Sequence, residues 1–97
     1  MKIAGTRVLV TGGGAGIGRY LAERLLAESA EVAVLELDAA RCAELSEAFG
    51  GRIRVQPCDV SDAAAVDAAL QALADAGFEP DVLVNNAGII HSEPLVN

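Results

Sequence analysis

The chain has 97 residues, 53% of them hydrophobic, enough for one modest core at or below the usual size of a domain. Seven basic and fourteen acidic residues leave a net charge of −7 with no Lys/Arg cluster, which argues against nucleic acid or an anionic membrane as partner. No apolar run approaches the roughly 18–20 residues that span a bilayer. The opening MKIAGTR lacks the apolar stretch and cleavage site of a secretory signal, so the expected compartment is the cytoplasm. Cys42 and Cys58 have no histidine near them, so no metal site is expected and both read as buried thiols in a reducing environment. Aromatics are few, and Val, Leu, Ile and Ala are left to fill an interior suited to a parallel sheet with helices on both faces.

In chain order, Arg7 to Thr11 (RVLVT) predicts a strand that stops at Gly12, Gly13 and Gly14. From Gly16 the period changes, and Ile17, Leu21 and Leu25, with Ala22 and Leu26 alongside, predict one face of a helix. Glu31 to Leu37 is a second strand. Asp38 then caps a second helix whose inner face is Cys42, Leu45 and Phe49, ended by Gly50 and Gly51. Arg52 to Gln56 is a third strand. Ser61 is the expected N-cap of a third helix, with Asp62 in its first turn and Val66, Leu70 and Leu73 on its inner face. Gly77 and Pro80 stop that helix, and Asp81 to Val84 forms a fourth strand running into Asn85-Asn86-Ala87-Gly88. Strands alternating with helices make the fold class α/β, a parallel sheet with right-handed crossovers.

Thr11-Gly12-Gly13-Gly14-Ala15-Gly16-Ile17-Gly18 lies between a strand and a helix. Glycines allow a sharp turn and close approach of a ligand, and the helix start offers free N–H groups and its positive dipole end to a pyrophosphate. A plain turn needs one or two glycines; here five fall within seven residues. An ATP-type loop would need a lysine after the last glycine, and Gly-x-Gly-x-x-Gly would need a glycine at Ile17. Gly-x-Gly-x-Gly fits at Gly12, Gly14 and Gly16 and would suit an S-adenosylmethionine-dependent methyltransferase, but the acid usual before those glycines is replaced by Val10 and Thr11.

Thr-Gly-x-x-x-Gly-Ile-Gly fits as well, and with it the chain resembles the short-chain dehydrogenase/reductase family. Asn85-Asn86-Ala87-Gly88 after the fourth strand matches that family's signature and is not expected in a methyltransferase. The resemblance covers essentially the whole chain. It implies a Rossmann-like doubly wound parallel sheet, partial here, with four strands in the order 3-2-1-4, so that residues 1–97 form part of a dinucleotide-binding domain. It also implies a nicotinamide cofactor on Gly12, Gly14, Gly16, Ile17 and Gly18, with Asn86, Ala87 and Gly88 leaving room for its ribose.

Glu36, at the end of the second strand, can accept hydrogen bonds from both hydroxyls of an adenosine ribose and would repel a 2′-phosphate. NADP-dependent members place a basic residue in the glycine motif or just after the strand, where this chain has Ala15 and Leu37, so NAD is expected. The resemblance also assigns Asp59 to the adenine amino group and the Val60 N–H to a ring nitrogen; as a bare sequence feature Asp59 is equally a loop residue ahead of Ser61. Tyr20 is expected to pack, His91 to lie on polar surface, and Ser29 to close the first helix with some strain where the family often has glycine.

Family members transfer hydride with a Ser and a Tyr-x-x-x-Lys pair. This chain has one Tyr, at 20, and one Lys, at 2, so none of its residues is expected to be catalytic. The expectation is the NAD-binding N-terminal portion of such an enzyme, whether truncated, processed or one chain of a split protein. A non-catalytic nucleotide-binding or scaffolding module is the alternative. The fourth strand would be an apolar edge, covered by a second copy, a complementary chain or residues 89–97.

Overall fold

A computed structural model describes residues 3–12 and 16–86. Four strands, β1 (Arg7–Thr11), β2 (Glu31–Glu36), β3 (Ile53–Pro57) and β4 (Val82–Asn85), form one parallel sheet in the order β3-β2-β1-β4. Helices α1 (Gly16–Ala27), α2 (Ala39–Phe49) and α3 (Ala63–Asp75) connect them. This is the α/β, doubly wound arrangement expected, with the strand order expected.

Alternation along the strands divides the interior into two layers. On one face Val8, Val10, Val32, Val34 and Ile53 pack against Ala22, Leu26 and Leu45 from α1 and α2. On the other, Leu9, Ala33 and Leu35 meet Ala69 and Leu73 of α3, together with Cys58 and Phe78. Val10, Val34 and Leu45 are fully buried, and burying each such side chain contributes about 1.5–3 kcal/mol.

Several expectations shift. The buried residues of α1 are Gly18, Ala22 and Leu26; Leu21 and Leu25 are half-buried and Ile17 is 77% exposed. At the start of the helix Gly18 faces the sheet because α1 begins in close contact with the Gly12 carbonyl, just past the end of β1. Tyr20 is exposed, not packed. The cap of α3 is Asp62, whose Oδ1 accepts from the N–H groups of Ala64 and Ala65. Ser61 is unavailable for that role because its own N–H and hydroxyl are drawn to Asp59. β2 ends at Glu36, leaving Leu37 exposed. β3 starts one residue late because Gly50–Arg52 forms a short 3-10 turn, and it runs to Pro57, whose missing N–H is tolerated on an edge strand. β4 begins at Val82, since Asp81 is used in bridging to Arg7: its carboxylate accepts from Arg7 N at 2.9 Å and its own N–H donates to Arg7 O at 2.8 Å. β4 is not buried on both faces. Val82 and Val84 are half-buried and Leu83 is exposed.

Asp38 caps α2 as expected, with Oδ1 accepting from Ala40 and Arg41. Ser29 has φ 69°, the left-handed region, as its position after α1 foretold. Among the described residues no helix is long and apolar enough to cross a membrane, and no three His, Cys, Asp or Glu side chains are grouped to hold a metal ion.

Candidate functional site

Parallel strands deliver their C-terminal ends to one side of the sheet, and there the described site candidates gather. β1 ends at Thr11, whose buried hydroxyl donates to Asn85 Oδ1 at 2.8 Å and accepts from Asn86 N at 2.9 Å. Asn86 Nδ2 reaches the Gly12 carbonyl at 3.4 Å. The two asparagines therefore tie the ends of β4 and β1 together. Thr11 entered the sequence reading only as the first residue of the Thr-Gly-x-x-x-Gly-Ile-Gly motif; its bonds to Asn85 and Asn86 join residues 74 and 75 positions apart and left no local signal.

Gly12 turns the chain with φ 68° and donates its N–H to Leu35 O at 2.8 Å, which fixes the glycine turn beside the end of β2. Gly16 opens α1 with φ 61°, and a Cβ there would meet no atom of the described residues within 4 Å. Gly18 is the reverse case. A Cβ at Gly18 would collide with the Gly12 carbonyl oxygen and stand 2.5 Å from Asn86 Nδ2, so only glycine lets the helix start against the turn. The first turn of α1 carries no acidic side chain, so the helix itself does not offset its positive end.

Glu36 is 6% exposed, so the alternative that it merely faces solvent does not hold. Its carboxylate accepts from Asp38 N at 3.0 Å, and its carbonyl accepts from both Cys58 N at 3.0 Å and Cys42 Sγ at 3.3 Å. Asp59 is exposed, and its Oδ1 takes the Ser61 hydroxyl at 2.6 Å and the Ser61 N–H at 2.9 Å. Those bonds, the hydroxyl's first, hold its carboxyl below the usual range, so it is an ionised acceptor at neutral pH. It thus has a structural role in the turn before α3, whatever else it binds. Val60 is half-buried against the α3 layer. The two thiols are buried, and burial, then neighboring carboxylates, pushes both above the ordinary thiol range.

Gly12, Gly16, Ile17, Gly18, Glu36, Asp59, Val60 and Asn86 therefore lie on elements that meet at one end of the sheet. Gly14, Ala87, Gly88 and His91 lie outside the described residues. A separate cavity of about 370 Å³ lies at the opposite end, among Leu26, Ser29, Glu31, Arg52, Arg54 and Phe78. It touches none of the site candidates.

The geometry fits what similar proteins are. A family model described as short chain dehydrogenase matches residues 6–97. The chain belongs to that family.

Among its relatives, a 3-phenylpropionate-dihydrodiol/cinnamic acid-dihydrodiol dehydrogenase of Escherichia coli (strain SMS-3-5 / SECEC) is 40% identical over 93% of this chain and 34% of that protein. A cis-2,3-dihydrobiphenyl-2,3-diol dehydrogenase of Pseudomonas sp. (strain KKS102) is 41% identical over 100% of this chain and 36% of that protein. Among solved structures, the 3-ketoacyl-(acyl-carrier-protein) reductase from Brucella melitensis, complexed with NADH, matches with a TM-score of 0.76 and 32% identity, over 84% of this chain and 34% of that one. The chain thus spans about a third of the length of the curated relatives it matches. The methyltransferase alternative is set aside by the family match.

Proposed function

We propose that residues 1–97 form part of a dinucleotide-binding domain that takes NAD(H), within a short chain dehydrogenase that moves hydride between the nicotinamide and an alcohol or carbonyl substrate. The observation that carries this reading is the buried Glu36 at the end of β2, held next to the glycine turn through the bond from Gly12 N to Leu35 O. That placement suits a carboxylate accepting from the adenosine ribose hydroxyls while the pyrophosphate rests at the open start of α1. The fit is supported by Gly16, where a Cβ would meet no atom of the described residues within 4 Å, and by Gly18, where close packing of turn and helix demands the absence of a side chain. In this reading Gly12, Gly14, Gly16, Ile17 and Gly18 surround the phosphates, Asp59 and the Val60 N–H meet the adenine, and Asn86, Ala87 and Gly88 border the nicotinamide-side ribose. Bound there, the cofactor would supply or accept the hydride. This chain's residues bind and orient it, and none of them is assigned a proton-transfer role.

NAD is favored over NADP because a 2′-phosphate would be brought against Glu36, and the basic residue that would offset this is absent at Leu37 and Ala15. The buried thiols suit a reducing compartment, so we place the protein in the cytoplasm. Calorimetric titration with both cofactors tests the reading. NAD should bind at least about tenfold more tightly, a difference of about 1.4 kcal/mol. Equal affinities, or a preference for NADP, would remove the role given to Glu36.

A further inference from the structure

Glu36 can meet a ribose only if the end of β2 is held in place, and what holds it is a small clasp. Its carbonyl accepts from Cys58 N on the β3 side and from Cys42 Sγ on the α2 side. Its carboxylate accepts from Asp38 N, and the Asp38 carbonyl in turn accepts from Cys42 N at 3.0 Å. Cys42 is thus joined to both ends of the segment that carries the carboxylate. Cys42 is 8% exposed, and a Val there would keep the bulk without a donor. Burial, with Glu36 and Asp38 nearby, keeps the thiol protonated at neutral pH and so able to donate.

We infer that Cys42 is a positioning residue for cofactor selection: its thiol, donating to the Glu36 carbonyl, fixes the end of β2 so that the Glu36 carboxylate discriminates a free ribose from a 2′-phosphorylated one. This rests on the ribose role proposed for Glu36. A thiol-to-carbonyl bond is weak, so the effect is modest and appears in selectivity before it appears in stability.

The test measures the ratio of NAD to NADP affinity in the full chain and in its Cys42→Ala, Cys42→Ser and Glu36→Gln variants, with Cys42→Val, which keeps bulk without a donor, used where Cys42→Ala does not fold. The ratio should fall about threefold in Cys42→Ala or Cys42→Val and return to within about twofold of the parent in Cys42→Ser, whose hydroxyl restores a donor. A merely structural role would weaken both cofactors equally and leave the ratio unchanged, which would overturn the inference; so would equal losses in the Ala and Ser variants. If Glu36→Gln lowers the ratio and the donor-less variant does not, the role of Cys42 alone falls. If Glu36→Gln leaves the ratio unchanged, the ribose reading fails and this inference fails with it.

Discussion

Ser29 sits at φ 69° just past α1, with its N–H bonded to Leu26 O and the next N–H, of Ala30, to Leu25 O. Those bonds require the left-handed turn, which an L side chain enters at a cost of about 1–2 kcal/mol and glycine enters freely. Glycine loses more chain entropy on folding, by roughly 0.5–1 kcal/mol. The difference predicts that Ser29→Gly stabilises the fold by about 0.5–1 kcal/mol, read as a higher urea midpoint with unchanged slope. A variant less stable than the parent would show that the serine side chain contributes more than the turn costs. The buried thiols give a second prediction at this scale. Both are pushed above the ordinary thiol range, chiefly by burial, so the folded chain holds their protons to higher pH than the unfolded chain does. Below the unfolded-state thiol value, near 8.5, they add no pH dependence; above it, stability falls as pH rises. Urea midpoints from pH 7.5 to 10 should decline more steeply in the parent than in a Cys42→Ala/Cys58→Ala variant. Parallel declines would mean that other groups govern the alkaline limb.

At the scale of elements, β4 has the least cover. It pairs with β1 on one side, and Leu83, level with Leu9 on the α3 face, is 51% exposed. No strand lies beyond it among the described residues. An exposed apolar edge invites pairing, so residues 1–97 produced alone are expected to self-associate, and Leu83→Lys should shift sedimentation toward monomer. A chain that is monomeric at all concentrations before the substitution would contradict this. The element order and all four strands were legible in apolar runs separated by turn residues, while the strand sequence of the sheet, β3-β2-β1-β4, followed from the family resemblance carried by the glycine and asparagine motifs. What was not legible were choices made by contact. The inner face of α1 shifted from Ile17 to Gly18 because helix and glycine turn approach too closely for a side chain, and hydropathy alone gives glycine no weight. The cap of α3 moved from Ser61 to Asp62 because Asp59 competes for Ser61. In the candidate site, the glycines, Glu36 and Asn86 were readable from motif and order. The Thr11 link and the Cys42 contact join residues on different elements, which no local pattern reports.

In the molecule as a whole, the two ends of the sheet differ in what they gather. The C-terminal end gathers Gly12, Gly16, Gly18, Glu36, Asp59 and Asn86. The N-terminal end holds a cavity lined by Arg52 and Arg54, whose positive charge is attractive for an anionic cofactor on electrostatic grounds alone. Arg52 is directed to the Leu26 carbonyl and Arg54 lies over the Phe78 ring, so both guanidinium groups are engaged within the fold. The central claim is that the dinucleotide occupies the C-terminal end. Amide chemical-shift mapping during titration with NADH tests it most directly. The account predicts that the shifts concentrate at Gly12, residues 16–18, residues 36–38, Asp59, Val60 and Asn86. Shifts confined to Arg52, Arg54 and the start of β2, or no saturable shifts at all, would contradict it.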